Sequence, residues 1–299
     1  MNIKTAVVPY SCFDDIKKDI ASFSRRDDLN NYQKLIVSEW YVLQPKLDFE
    51  PKSVISAAVP FDIWNAAFTW KGTRYVSVID KAATVESVLS NLSAGNTCHF
   101  FYDYLLPQKR IAVRNGLAEY GRNNLCYVDG FGSLITLFTF IADMPAPEHF
   151  TWREVTSMPE CQNCTLCRNN CPTGAILPDR FLLNNQVCLA AANEWGTEPF
   201  PEFIPKTAHH RTQNCSRCQD ICPKNAGLYK NVRNTVEFSK EDTELILSGT
   251  SFGNLPSGLA AKIELCDMKS YYPSLPRNLK AWFENLCMKW NVHYREERG

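Results

Sequence analysis

The chain has 299 residues, enough for one large core or two domains, and its 45% hydrophobic and 21% charged content is that of a globular protein. Lysine plus arginine and aspartate plus glutamate number 32 each, so the charge gives no strong nucleic-acid signal. The longest apolar run, residues 134–142, is about half a membrane span, and the first residues lack the pattern of a signal peptide. We therefore expect a cytoplasmic protein with no membrane partner.

Residues 1–150 are predicted to form an α/β domain, because short β-branched or aromatic runs alternate with stretches of helical spacing. Strands are expected at Lys4–Val8, Val54–Pro60, Tyr75–Ile79 and His99–Tyr104, and helices at Phe13–Phe23 and Thr84–Leu92. Residues 124–128 and 133–142 flank a glycine-rich stretch, Asp129-Gly130-Phe131-Gly132, which predicts that they pair as a hairpin.

Residues 151–230 carry eight of the thirteen cysteines in two runs. The first is Cys161-x2-Cys164-x2-Cys167-x3-Cys171-Pro172, the spacing of bacterial ferredoxins, in which three thiolates hold one iron–sulfur cluster and the fourth holds a second. The second, Cys215-x2-Cys218-x3-Cys222-Pro223, lacks its first cysteine, and Cys188 between the runs can fill that place.

Four cysteines for each of two clusters predict two 4Fe–4S centres that carry single electrons. On the ferredoxin pattern, one cluster is held by Cys161, Cys164, Cys167 and Cys222, and the other by Cys171, Cys188, Cys215 and Cys218. Structural zinc in a binding module is the alternative, but four sulfurs within eleven residues suit a cluster better than one tetrahedral ion. Oxygen-labile clusters also fit a reducing cytoplasm.

Residues 231–299 are predicted to form a short helical segment. Ser239 precedes an acidic first turn and an apolar run, which is typical of a helix N-terminus. A last helix is expected to start at Pro276 and to carry an aromatic stripe that includes Trp282 and Phe283.

The segment Ala112–Leu125, AVRNGLAEYGRNNL, resembles the A-x3-GLGWxGKN-x-L segment of the epoxyqueuosine reductases. Gly132-Ser133 followed by an apolar strand ending in Ala142-Asp143-Met144-Pro145 is similar to a second family segment. The two cysteine runs and the lone Cys188 follow in the family's order.

This resemblance implies an α+β protein in which a nitroreductase-like α/β domain that binds cobalamin precedes a ferredoxin-like double-cluster module, a plan shared with reductive dehalogenases. It implies a reductase in which the clusters pass electrons to the corrinoid. The implied partners are a reduced ferredoxin-type or flavodoxin-type electron donor and a small-molecule or modified-nucleoside substrate.

The resemblance also implies site residues. Asp103, at a strand end, takes the place of the family's proposed proton donor, although an aspartate there can equally cap a turn. Arg110 and Arg114, four residues apart, are candidates to hold a phosphate or a corrinoid amide, with ordinary solvated arginines as the alternative. The corresponding family segment adds three candidate cofactor-binding residues, Gly116, Gly121 and Asn123.

The chain departs from the family pattern where the corrinoid and tRNA are expected to bind. Ala118, Glu119 and Arg122 replace the family's Gly, Trp and Lys, and Phe138-Thr139 replaces a Gly-Glu pair. The family's long C-terminal repeats are expected to be absent. We therefore expect a related reductase, with a corrinoid-free electron carrier that docks a redox partner as the alternative.

Overall fold

The computed structural model describes residues 2–95, 97–178, 182–194 and 196–296, with side chains described as far as Cys287. The strands are β1 Lys4–Pro9, β2 Ser53–Pro60, β3 Asp62–Trp70, β4 Thr73–Lys81, β5 Phe100–Tyr102, β6 Glu119–Tyr120, β7 Cys126–Tyr127, β8 Ile135–Ala142 and β9 Asn234–Phe238. The helices are α1 Phe13–Ser24, α2 Asn31–Leu35, α3 Val85–Leu92, α4 Gln108–Arg114, α5 Leu166–Asn169, α6 Leu189–Glu194, α7 Arg217–Asp220, α8 Lys240–Leu247, α9 Ser257–Leu265 and α10 Leu275–Glu296.

The main sheet is antiparallel, with the order β1-β2-β8-β5. Its central strand β2 is buried along almost its whole length, because helices cover both faces of the sheet. On one face, Phe13 and Ile16 of α1 and Ile111 of α4 pack in one cluster, and on the other Val88 of α3 packs with Phe140. The sheet is therefore a rigid platform between two helical layers.

The predicted hairpin of residues 124–128 with 133–142 is wrong. β7 pairs with β6, and β8 lies between β2 and β5 in the main sheet. Only the isolated bridge Val128–Gly132 joins the two predicted arms. β8 already has a strand on each side, so its hydrogen-bonding groups are not available to a third strand.

A second sheet has the order β4-β3-β9, with β9 parallel to β3. Helices α8, α9 and α10 pack on it, and Trp282 and Phe283 are almost completely buried against the cluster that includes Phe68. Residues 231–296, predicted as helical, thus also contribute a strand, and they share one core with residues 62–81. The predicted α+β class is confirmed, with a C-terminal part that is mainly helical.

Local capping follows the sequence. The Ser239 hydroxyl accepts the Asp242 N–H, and the Asp242 carboxylate accepts the Ser239 N–H, so α8 begins where the sequence predicted. The Thr84 hydroxyl accepts the Ser87 N–H and so caps the start of α3. Among the helices of the described ranges, none is both long enough and apolar enough to span a membrane.

Candidate cluster and cofactor site

The first group of thiols gathers around Cys167 on α5. Burial raises the pKa of Cys167, and the nearby thiols of Cys161 and Cys164 raise it further. The thiol of Cys222, which follows α7, adds to the same effect on Cys167 and on Cys161. The structure thus brings together the four cysteines assigned to the first cluster, although they are separated by up to 61 positions in sequence.

The second group lies around Cys215 and Cys218. Burial raises the pKa of Cys215 to about 11, and the neighbouring thiols of Cys188 and Cys171 add to the shift. Burial raises the pKa of Cys218 to about 12, with contributions from the thiols of Cys215 and Cys188. Cys188, which precedes α6, therefore lies where the missing cysteine of the second run was expected.

The two groups are neighbours, because the thiol of Cys167 in the first also acts on Cys218 in the second. All eight of these cysteines are in the described ranges, and within those ranges no three His, Cys, Asp or Glu side chains converge closely enough to hold a single metal ion. Each of the two groups supplies the four thiols that a 4Fe–4S cluster requires.

Arg122 fastens the first cysteine loop to the α/β domain. Its guanidinium donates to the backbone carbonyls of Cys161 at 2.7 Å, Gln162 at 3.0 Å and Cys164 at 2.9 Å. The residue is only 8% exposed, so these charge-assisted bonds are shielded from water. The sequence marked Arg122 as a replacement for lysine, but this clamp was not predicted.

Of the candidate cofactor-binding residues, Asn123 contacts a cysteine and Gly121 packs against Tyr127. A Cβ at Gly121 would lie 2.4 Å from the Tyr127 ring, so only glycine permits this approach. The Asn123 amide donates to the Tyr127 hydroxyl at 3.0 Å and also bonds to Cys218, while Tyr127 bonds to Cys222. These residues connect β7 to both thiol groups, and neither lines the main cavity.

The main cavity has a volume of about 730 Å³ and opens between α1, α4 and the β6–β7 pair. Much of its wall is apolar, with Leu125 and Leu137 on the sheet side and Phe23 on the helix side. Polar groups are spaced among these side chains, including Gln108 and Asn185. An apolar wall with scattered polar groups suits a large amphipathic ligand such as a corrinoid.

Ser133 connects this cavity to the cysteine module. The residue lines the cavity, and its N–H donates to the side-chain oxygen Oδ1 of Asn225 at 2.8 Å, while the Asn225 side-chain amide donates back to the Ser133 hydroxyl at 2.8 Å. The Gln219 amide also donates to Ser133, at 3.1 Å. Because Gln219 and Asn225 each lie three positions from Cys222, the first thiol group is beside the cavity wall.

Asp103 does not line the cavity. The strand that was expected to end at Tyr104 stops at Tyr102, and the Asp103 carboxylate accepts the Leu105 N–H at 2.8 Å. This is the turn-capping geometry that was the alternative for this residue. The next residue, Tyr104, is on the cavity rim and is 72% exposed, so the loop that carries Asp103 borders the cavity.

The two candidate arginines have different environments. Arg110, a candidate cofactor-binding residue, lines the cavity. Arg114 does not: both oxygens of Asp19 accept from its guanidinium at 2.7 Å, and it is 7% exposed, so it is neither solvated nor available to a ligand.

Gly116 has φ of +80° and lines a separate polar cavity of about 260 Å³, away from the main one.

The model of the 4Fe-4S double cluster binding domain matches residues 160–225, which include all eight grouped cysteines. Two curated epoxyqueuosine reductases are similar in sequence. The Bacillus anthracis enzyme is 30% identical over 124 residues, which are 41% of this chain and 30% of that protein. The Listeria monocytogenes enzyme is 27% identical over 201 residues, or 61% of this chain and 51% of that protein.

The chain resembles the epoxyqueuosine reductases. It spans about half or less of the length of these two relatives. Two epoxyqueuosine reductase structures share its fold: one from Streptococcus thermophilus has a TM-score of 0.57 at 17% identity and covers 95% of this chain and 77% of that one. The other, from Bacillus subtilis with its catalytic aspartate loop swung out of the active site, has a TM-score of 0.56 at 16% identity, with 94% and 77% covered.

Proposed function

We propose that the protein is a reductase that uses two 4Fe–4S clusters and a corrinoid bound in the main cavity. The observation that carries this proposal is the 730 Å³ cavity beside the first thiol group, joined to it through Ser133 and Asn225. An electron carrier without a corrinoid has no need of such a cavity next to its cluster, so the enzyme is favoured over the carrier.

In this proposal, Cys161, Cys164, Cys167 and Cys222 hold the cluster nearer the cavity, and Cys171, Cys188, Cys215 and Cys218 hold the outer one. The clusters supply single electrons, and the corrinoid supplies the reducing centre that acts on the substrate. The side chains of Phe23, Leu125 and Leu137 exclude water from the cavity wall. Arg122 and Asn123 keep the cluster loops in a fixed position relative to that wall.

We propose that Asp103 is the proton donor and that it reaches the cavity when its loop swings inward. A relative from Bacillus subtilis has its catalytic aspartate loop swung out of the active site. The Asp103 loop begins where β5 ends, and its Tyr104 is largely exposed at the cavity rim, whereas the buried Leu106 holds the other end of the loop in place. A carboxyl group carried into the cavity could protonate a leaving oxygen.

The proposed substrate is a small molecule or a modified nucleoside, the class that the name of the related enzymes indicates. The proposed electron donor is a reduced protein of the ferredoxin or flavodoxin type, which would deliver electrons to the outer cluster. A reducing cytoplasm is the compartment that suits the two clusters.

A spectral titration with cobalamin tests the proposal. The anaerobically cluster-loaded protein is expected to shift added cobalamin to the base-off spectrum at micromolar concentration. Leu137→Trp, which fills the cavity wall, should weaken this binding at least about tenfold without loss of iron, because the added ring occupies the ligand's space. The matched control is Leu265→Trp, at a 45% exposed position on α9 outside the cavity.

Hydrogen exchange in the same titration tests the loop. Residues 103–107 should exchange more slowly once cobalamin is bound, while residues 249–256 should not change. Absence of any spectral shift in the cluster-loaded protein would favour the carrier, and binding that leaves exchange at 103–107 unaltered would return Asp103 to a turn-capping role.

A further inference from the structure

The main cavity is positively charged, although the chain as a whole has equal numbers of acidic and basic residues. Its described wall contains Arg26, Lys109 and Arg110 and no aspartate or glutamate. Such a wall in a low-dielectric cavity favours a negatively charged ligand. The available charge depends on how far each of these three cations is already engaged.

Arg26 is engaged, because its guanidinium donates to both oxygens of Asp28, at 2.8 and 2.6 Å. Lys109 makes one longer bond, to the Asn124 carbonyl at 3.3 Å. Arg110 forms only a long ion pair, in which its Nε lies 4.0 Å from an oxygen of Asp19. Both oxygens of Asp19 already accept from Arg114, and the Arg110 guanidinium carbon lies 5.9 Å from the centre of the Phe23 ring, so among the described residues its N–H groups remain available to a ligand.

Two phenols stand beside Arg110 in the cavity. Arg110 acts electrostatically on both Tyr41 and Tyr120, and the two phenols also influence each other. Burial raises the pKa of each phenol, so both keep their protons at neutral pH and are able to donate. Neither hydroxyl bonds to another side chain or to backbone within the described part of the chain.

We propose that Arg110, with the Tyr41 and Tyr120 hydroxyls, forms a subsite for an anionic oxygen group of the phosphate or carboxylate class. A planar guanidinium and two hydroxyl donors in the same cavity wall match the acceptor oxygens of such a group. The inference deepens the proposed function, since it names a chemical group recognised in the same cavity. The group belongs either to the substrate or to the phosphate of the corrinoid's nucleotide tail.

The experiment measures inorganic phosphate binding by calorimetry to the full-length protein loaded with its clusters. Without corrinoid, wild type should bind phosphate, and Arg110→Gln should weaken binding at least about tenfold, as expected for loss of a charge-assisted bond. Arg110→Lys should retain part of the affinity, and Tyr120→Phe should lose less than Arg110→Gln. Arg74→Gln, a surface arginine on β4 paired with Glu237, is the matched control and should bind as wild type does.

Two further arms identify the source of the anion. If the subsite takes the corrinoid's nucleotide phosphate, prior loading with cobalamin abolishes phosphate binding, whereas cobinamide, which lacks the nucleotide, does not. If it takes a substrate group, phosphate binds in both cases. The inference is overturned if phosphate does not bind the corrinoid-free protein, or if Arg74→Gln and Arg110→Gln weaken it equally. Because the first arm contains no corrinoid, failure of corrinoid binding would contradict the proposed function and leave this result standing.

Discussion

At the scale of single residues, the grouping of the cysteines could be predicted from their spacing, whereas the environments of several candidate cofactor-binding residues could not. Cys188 lies beside Cys171 and Cys215, where a lone cysteine between the runs was predicted. Arg114 was predicted from a four-residue helical spacing, but sequence spacing cannot reveal that Asp19, 95 positions away, already binds it. Whether a charged side chain can bind a ligand depends on partners that are distant in sequence.

Replacing Cys188 with Ala should remove one ligand of the outer cluster and leave the inner cluster intact. We expect the low-temperature EPR spectrum to lose one cluster signal or to gain that of a 3Fe–4S species. Cys98→Ala, at a cysteine outside both thiol groups, is the control. An unchanged spectrum with full iron content in Cys188→Ala would show that Cys188 is not a ligand.

His209 should make stability depend on pH. Burial lowers the pKa of its imidazole to about 4, with Arg277 adding to the effect, against about 6.5 when unfolded. The unfolded chain therefore binds more protons between these values, so stability is complete above pH 6.5 and falls as the pH decreases through this window. At pH 5.5 the loss is about 1 kcal/mol.

Denaturant unfolding of wild type and His209→Gln at pH 7.5 and 5.5 measures this loss. Wild type should lose about 1 kcal/mol more than the variant between the two pH values. Equal losses in both proteins would mean that the imidazole is not buried as a neutral group.

At the scale of elements, helices and central strands were largely predictable and their pairing was not. The predicted positions of β2, α1 and α8 agree with the structure, because apolar runs, helical spacing and the Ser239 cap are local signals. β3 was missed, since its mixed sequence DIWNAAFTW has no clear alternation. The parallel pairing of β9 with β3 joins residues about 170 positions apart, and no local pattern encodes it.

Contacts between elements distant in sequence also hold the loop between Cys218 and Cys222. The Arg211 guanidinium donates to Asp80 of β4 at 2.7 Å and to Asp220 of α7 at 3.3 Å. Arg211 is 6% exposed, so this pair of contacts ties the second sheet to the loop between Cys218 and Cys222. No local sequence pattern predicted these contacts of Arg211.

The shared core of β3, β9 and α10 gives a stability prediction. Trp282 is 1% exposed and lies 6.2 Å, between ring centroids, from Phe68 of β3. Trp282→Ala should reduce the free energy of unfolding by about 3–5 kcal/mol, because the cavity it leaves is in a packed core. Val76→Ala, at a 42% exposed position of β4, should change it by about 0.5 kcal/mol or less.

Circular dichroism, recorded as denaturant is added, measures the free energy of unfolding of both variants. For Trp282→Ala we expect a single unfolding transition at lower denaturant, in which the helical and strand signals are lost together. If the helical signal were lost separately from the strand signal, residues 231–296 would be an independent unit and not part of a common core.

At the scale of the whole molecule, the main sheet and its helices form one wall of the cavity, and the cysteine module lies behind Ser133 and Tyr127. The second sheet supports the module from the other side through Arg211. In the proposed function, this arrangement puts two clusters in series behind the main cavity. The order of the motifs along the chain indicated the components, but no local pattern predicted the cavity, whose wall includes Tyr120 of β6, Cys126 of β7 and residues of α4.

Metal analysis tests the central claim most directly. The full-length protein is reconstituted anaerobically with iron, sulfide and cobalamin, separated from unbound material by gel filtration, and analysed for iron, acid-labile sulfide, cobalt and zinc. We predict about eight iron and about eight sulfide per chain, together with about one cobalt that elutes with the protein. About four iron, zinc in place of iron, or cobalt that elutes apart from a fully iron-loaded protein would contradict the account.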